Sequence, residues 1–181
     1  MGYPLGRNGG RTDAEVRRLG PTDAPSYRDI RLEALRLAPE AFGSTFAAES
    51  AQPLTWFAAR LDSSAVFGAF AGAALVGIAA FLVRAGCKEA HKGALVGMYV
   101  RPDARRAGTG RRLVEAVIDH ARGHVELLQL TVVSGNEPAR RLYEKLGFVV
   151  YGVEKNALKH DGRYWDELLM AKALCPRAAA R

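Results

Sequence analysis

Cysteine is scarce: the 181 residues hold two, Cys87 and Cys175, 88 positions apart. With no Cys-x-x-Cys pair, a disulfide framework and a zinc ribbon are both excluded, and a reducing cytoplasm is the expected compartment. Histidine is nearly as rare, at four residues. Only His120 and His124 lie close together, and Gly123 is expected to end the helix between them. They are read as surface residues, and no metal site is expected. No apolar run reaches the about 18 to 20 residues that a bilayer span needs. The first ten residues have no apolar stretch of the kind a signal peptide carries. No Gly-Lys-Ser or Gly-Lys-Thr occurs, which removes the nucleotide P-loop. Basic runs interleaved with aromatics are missing too, so the net charge of +7 does not point to nucleic acid.

What remains is ordinary for a globular protein: 49% hydrophobic and 25% charged residues, without repeats. Residues 1–11 are read as a flexible lead-in, 12–174 as one domain and 175–181 as a frayed tail. Ala14 to Leu19 reads as a first strand, and Thr22 or Asp23 as the cap of a helix carrying Tyr27, Ile30, Leu32 and Leu35. Residues 38–52 read as a loop with a short helix, and Thr55 to Leu61 as a turn or two more. Two apolar stretches, Ala65–Ala71 and Ala74–Val83, meet at Gly72 as a hairpin. Residues 84–91 form a polar connection. In the second half strands alternate with helices, so a mixed α/β sheet is expected.

The densest signal lies at residues 95–113. Leu95 to Val100 reads as a buried strand, and Pro102 ends it. Arg105, Gly108 and Gly110 follow. A helix then carries Leu113, Val114, Val117, Ile118 and Ala121. A strand, a glycine loop and a helix N-terminus in that order form an anion site, because glycine admits close approach and free N–H groups point out of the first turn. A dinucleotide fingerprint needs a third glycine where Leu113 stands, and an acid where the chain is apolar around Leu130. Arg101, Arg105, Arg106, Arg111 and Arg112 crowd the loop, with only Asp103 opposing them nearby in the chain. Such a compact cluster suits a small polyphosphate.

A second pattern follows. Glu126 to Val133 reads as a strand, Asn136 caps a short helix and Pro138 sits in its first turn. Ala139, Leu142, Tyr143 and Leu146 share one face, and Gly147 stops the helix. Phe148 to Glu154 and Tyr164 to Leu174 read as the last strands, joined near Asp161-Gly162.

The spacing Arg105, Gly108, Gly110 resembles the acetyl-CoA loop of the GNAT acetyltransferase superfamily. Asn136, Ala139, Tyr143 and Gly147-Phe148 are similar to its closing motif, and 28 residues separate Gly108 from Asn136. Pro39 to Gly43 is also family-like, so the resemblance covers about residues 15–173. It implies a single-domain α/β fold with a mixed, mostly antiparallel sheet, splayed at the acetyl-CoA site, with helices on both faces. It implies acetyl-CoA as cosubstrate and direct acetyl transfer to a primary amine of a small molecule or peptide. A homodimer is compatible with it. The cofactor contacts it implies fall on the main chain of Met98, Tyr99 and Val100, on the loop Arg105, Arg106, Ala107, Gly108, Thr109, Gly110 and Arg111, and on Asn136 and Tyr143.

A tyrosine at position 143 implies a proton donor to the departing thiolate, since a phenol of pKa about 10 stays protonated at neutral pH. Read from its helical face alone, the same residue belongs to the core. One feature departs from the family. Many relatives carry a general-base glutamate early in the loop strand, but Lys92 to Gly97 contains no acid. His91, Glu49 and a water relay are the candidate bases. Glu40, Glu49, Asp161 and Asp166 are the acids available to attract a cationic amine. The competing reading is a non-catalytic acyl-CoA-binding or sensing domain that keeps the loop and lacks a working acceptor site.

Overall fold

The computed structural model describes residues 14–174, so the lead-in at 1–11 and the tail at 175–181 lie outside the described residues. The strands are β1 (Glu15–Arg18), β2 (Ala65–Ala71), β3 (Ala74–Val83), β4 (Lys92–Val100), β5 (Leu127–Val133), β6 (Val149–His160) and β7 (Arg163–Ala173). The helices are α1 (Ala24–Leu37), α2 (Phe46–Ser50), α3 (Leu54–Ser63), α4 (Thr109–Ala121) and α5 (Glu137–Lys145). The strands form one sheet in the order β1-β2-β3-β4-β5-β7-β6. Only β4 and β5 run parallel; every other neighbouring pair is antiparallel. Among the described residues no helix is long and apolar enough to cross a membrane.

The sheet separates two cores, because its side chains alternate between faces. Tyr27, Ile30 and Leu35 of α1 and Phe57 and Leu61 of α3 pack on Val66, Ile78 and Tyr99. Leu113, Val114, Val117 and Ile118 of α4 pack on Phe67, Val76, Leu95 and Leu128 on the opposite side. Each such side chain, fully buried, stabilises the fold by about 1.5–3 kcal/mol. The helices on both faces and the hairpin at Gly72, where φ is +60°, agree with the sequence reading.

Two boundaries differ. β4 starts at Lys92 rather than Leu95, because its polar end still pairs with β3 up to Val83↔Gly93. β6 runs on to His160 rather than stopping at Glu154. A bulge between Glu154 and Leu158 interrupts the pattern, and pairing with β7 then resumes as far as His160↔Arg163. The hairpin closes at Asp161-Gly162 as expected, with φ of +47° and +75°.

The parallel contact is short. β4 pairs with β5 only through Lys92↔Leu127, Gly93↔Leu128 and Ala94↔Gln129. Beyond it, Ile78 pairs with Tyr99 and Ala80 with Val96, so Gly97 and Met98 of β4 face the single residue Ala79. Gly97 takes the extra position with φ of +64°. A bulge of this kind bends its strand. β5 meanwhile stays paired with β7 as far as Val133↔Glu167. The sheet opens into a wedge between β4 and β5.

Candidate active site

A cleft of about 840 Å³ fills this wedge. One wall is β4 from Ala94 to Met98, and another is β5 from Gln129 to Val133. Asn136, Ala139 and Tyr143 of α5 also line it, as do Ala41 to Ser44 of the α1–α2 connection. Asn136, Ala139 and Tyr143 of the closing motif and residues 41–43 of the family-like stretch are thus brought to one cavity.

The glycine loop lies between β4 and α4. Gly108 is the N-cap of α4, with φ of +81° and ψ of −4°. Arg106 is also left-handed, at φ +60°. Left-handed residues in a turn bring N–H groups to one side, which is the geometry of an anion nest. The side chain of Thr109 points inward, its hydroxyl donating to the Ala104 carbonyl at 3.0 Å. A Cβ on Gly108 would meet nothing within 4 Å, whereas one on Gly110 would come to 3.3 Å from Met98 Cε and 3.4 Å from Leu142 Cδ2. The first glycine borders open space; the second lets α4 pack on Met98 and α5.

The arginine cluster expected around the loop is mostly engaged within the protein. Arg105 Nε donates to the Val100 carbonyl at 2.8 Å. Arg101 Nε donates to Glu33 at 3.0 Å, and Arg111 Nε donates to Glu115 at 2.8 Å. Arg112 Nη1 donates to the Ala14 carbonyl at 3.2 Å. Neighbours in the chain showed only Asp103; the folded chain adds acceptors from α1, α4 and the start of β1. The loop's main chain is therefore a better anion site than its side chains. Val100 likewise gives its carbonyl to Arg105, and it does not line the cleft. The Tyr99 side chain faces α1, where its hydroxyl donates to Glu33 at 2.9 Å. Burial and that bond push its pKa up to about 12.

Tyr143 is 5% exposed and lines the cleft. Its ring packs edge-on against Phe148 at 5.9 Å. Burial raises the phenol well above its ordinary value. Its hydroxyl makes no hydrogen bond to another described residue. Asn136 caps α5, its side chain accepting from the Ala139 N–H at 3.3 Å, and it borders the cleft as well.

The candidate bases separate clearly. Glu49 does reach the cleft but is buried in an ion pair, with Arg31 Nε at 2.9 Å and Arg31 Nη2 at 2.6 Å from its two oxygens. Burial alone would raise this carboxyl, but Arg31, Ser44 and Arg60 outweigh it and hold it below the usual carboxylate range. Glu49 is a poor proton acceptor. His91 is exposed and lies outside the cleft, where its carbonyl accepts from Glu126 and Leu127 at the start of β5. Asp161 pairs with His160 at the hairpin turn, and Asp166 pairs with Lys155 at 2.7 Å; neither lines the cleft. His120 and His124 stack at 4.3 Å beside Phe67 and Phe81, and no group of three metal-ligating side chains occurs among the described residues.

Residues 29–148 match the Acetyltransferase (GNAT) family. The chain belongs to the GNAT acetyltransferase family. It is 32% identical over 84 residues to an L-methionine sulfoximine/L-methionine sulfone acetyltransferase of Pseudomonas aeruginosa, a stretch that is 46% of this chain and 49% of that protein. The chain thus spans about half the length of the curated relatives it matches. A ribosomal-protein-alanine N-acetyltransferase from Brucella melitensis has a similar structure, with a TM-score of 0.73 at 28% identity over 88% of this chain and 99% of that one. A phosphinothricin acetyltransferase from Sinorhizobium meliloti, solved in complex with acetyl-CoA, shares the fold with a TM-score of 0.77 at 20% identity over 94% of this chain and 93% of that one.

Two carboxylates in this GNAT cleft were not singled out in the sequence, Glu154 of β6 and Glu167 of β7. Glu167 of β7 lines the cavity beside Thr131, which is within hydrogen-bonding reach. Its position two residues before Leu169 on a strand was the available signal, but a two-residue period does not say which face opens on a cavity.

Proposed function

We propose that this protein transfers the acetyl group of acetyl-CoA directly to a primary amine of a small molecule or peptide. The observation that carries the reading is an unpaired β4 edge and a buried phenol with no partner on one wedge, with the Gly108–Gly110 loop following β4 and packing on its Met98.

The residues fit acetyl-CoA. Past Ala94 the side of β4 that faces β5 has lost its strand neighbour, so its main-chain groups suit the amides of a pantetheine arm. Met98 and the main chain of Tyr99 lie on that stretch. The first N–H groups of α4 have no helical acceptor, and open space at Gly108 admits a pyrophosphate. Ala107 and the main chain of Arg106 and Thr109 complete that cradle. Bound there, acetyl-CoA supplies an acetyl group activated as a thioester.

The chain's own residues then do three things. β4 and Asn136 orient the bound arm along the wedge. Phe42 and Leu169 give the arm apolar walls. Tyr143 holds a proton on its hydroxyl at neutral pH, because burial disfavours the phenolate, and gives it to the sulfur as the thiolate leaves. The one described cysteine, Cys87, is exposed and outside the cleft, which supports direct transfer over an acetyl-cysteine route.

A second reading, an acyl-CoA sensor, draws on the lack of an acid at Lys92–Gly97. Tyr143→Phe separates the two. As an enzyme, the variant should lose about 10- to 1,000-fold in kcat, the range of lost acid catalysis. CoA affinity and melting temperature should hold, because the hydroxyl makes no hydrogen bond to a described residue. Thiol release at the wild-type rate rejects the acid role. No thiol release from any amine by the wild-type protein, with CoA bound, favours the sensor.

A homodimer along β6 belongs to the same reading. β6 is the edge of the sheet, and Val149, Val150, Tyr151 and Val153 stand exposed on it. Light scattering should give twice the chain mass; a monomer at assay concentration rejects this part.

A further inference from the structure

The cleft is lined by Arg31, Glu49 and Arg60 on its helical side, by Glu154 and Glu167 on β6 and β7, and by Arg84 at the end of β3. On the helical side Arg31 and Arg60 share one carboxylate, Glu49. Arg31 occupies both of its oxygens, and Arg60 Nη1 stands 3.7 Å from Oε1, beyond hydrogen-bonding distance. The Arg60 guanidinium makes no hydrogen bond to another described residue. Its side chain is 33% exposed and is held over the Trp56 ring at 5.3 Å. One positive charge is thus left over, on a guanidinium that stacking keeps in place at the cleft.

On the strand side stands Glu167. Alternation along β7 sends Leu168 and Met170 into the α4–α5 core and leaves Glu167 and Leu169 on the cleft side. Glu167 is half-buried and has no ion-pair partner among the described residues. Thr131 of β5 is beside it, and its direct register partner on β6 is Glu154, which adds negative charge. A half-buried carboxylate without a cation is costly. It is the complement of an ammonium group.

We propose that the acceptor is a small zwitterion: Glu167 holds its ammonium and removes the proton, and Arg60 holds its anionic group. The inference rests on the acetyltransferase reading above. The ammonium gives one proton to the Glu167 carboxylate, which passes it to water. The freed nitrogen forms the C–N bond as the C–S bond breaks. Tyr143 gives its proton to sulfur and regains one from the acylated nitrogen, so one proton is released per turnover. Burial, with Glu154 adding to it, raises the Glu167 carboxyl above the ordinary range despite the Thr131 bond, and so brings it closer to the proton it must take. Arg31, Arg60 and Glu49 on the helical side, Arg84 at the end of β3 and Glu154 on β6 are the other charged groups that line the cleft with it.

The test is thiol release from acetyl-CoA with α- and ω-amino acids, their carboxamides and α,ω-diamines. At least one amino acid should exceed its carboxamide and every diamine by about 10-fold or more in kcat/KM, the worth of one charge-assisted contact. Arg60→Gln should lower kcat/KM for that amino acid about 10-fold more than for its carboxamide, chiefly through KM. Glu167→Gln should lower kcat for all amines and remove the acidic limb of the pH profile, while Glu167→Asp keeps that limb. CoA affinity, measured by calorimetry, should be unchanged in all three variants and report intact folds. Carboxamides or diamines used as well as amino acids overturn the zwitterion, and an acidic limb that persists in Glu167→Gln overturns the base. Absence of thiol release from every amine, with CoA still bound, means instead that the acetyltransferase reading has failed, and this inference falls with it.

Discussion

Valine at Gly108 and valine at Gly110 should damage the protein in different ways. Gly108 has φ of +81°, where an L-residue costs about 1–2 kcal/mol and a β-branched one somewhat more. No protein atom lies within 4 Å of its new Cβ, so no clash adds to that strain. Against a typical stability of about 5–15 kcal/mol, the variant stays folded. On the proposed acetyl-CoA site, however, its methyl groups would occupy the space through which the pyrophosphate reaches the α4 N-terminus. Losing one charged hydrogen-bond partner is worth about 1.5–3 kcal/mol, which is about a 10- to 150-fold weaker Kd for CoA. Gly110 presents the opposite case. Its Cβ would press on Met98 Cε at 3.3 Å and Leu142 Cδ2 at 3.4 Å, and the γ-methyls have less room still. Overpacking of this kind costs about 1–3 kcal/mol, or about 2–12 °C in Tm for a chain of this size. Calorimetry on both variants, by melting and by CoA titration, reads the two effects. A folded Gly108→Val protein that binds CoA with wild-type affinity would refute the loop assignment.

Arg105→Ala should act through the loop's shape, since its Nε anchors the Val100 carbonyl. We expect a stability loss of about 1 kcal/mol and weaker CoA binding whose salt dependence is unchanged; a flatter salt slope would show that the side chain meets phosphate. Glu49→Ala should cost about 3–5 kcal/mol, because it leaves the buried Arg31 guanidinium unpaired, and chemical denaturation checks it. The Glu49 carboxyl is held below its ordinary value in the fold. Its contribution is therefore present above the unfolded carboxylate pKa and is lost as pH falls through the lowered one. Wild-type stability should drop on acidification through that window, and Glu49→Gln should flatten the drop; equal acid sensitivity in both proteins contradicts the assignment.

Local chemistry was legible in the sequence. The glycine loop, the Asn136 cap and the hairpins at Gly72 and Asp161-Gly162 are set by residues close in the chain, and the structure places them as read. Tyr143 packs on Phe148, as its core reading has it, and it also lines the cleft. Pairings between distant segments were not legible. The five arginines near the loop looked like a phosphate cluster because Glu33, which takes Arg101, lies 68 residues away in sequence. His91 looked close to the chemistry because it precedes β4, yet the wedge opens farther along that strand, past Ala94. Glu49 was correctly placed on the cleft, but its capture by Arg31 of α1 depends on helix packing. Glu167 was missed because its exposure to the cleft depends on where β4 leaves β5, and a bulge at Gly97 decides that.

The β4–β5 wedge is proposed to seat acetyl-CoA with its sulfur at Tyr143. A crystal structure of the protein with CoA tests it most directly. The pyrophosphate is expected on the N–H groups that follow Gly108, the pantetheine arm along Val96 to Met98, and the sulfur within hydrogen-bonding reach of the Tyr143 hydroxyl. CoA bound outside the wedge, or in the wedge with its sulfur remote from Tyr143, would contradict it.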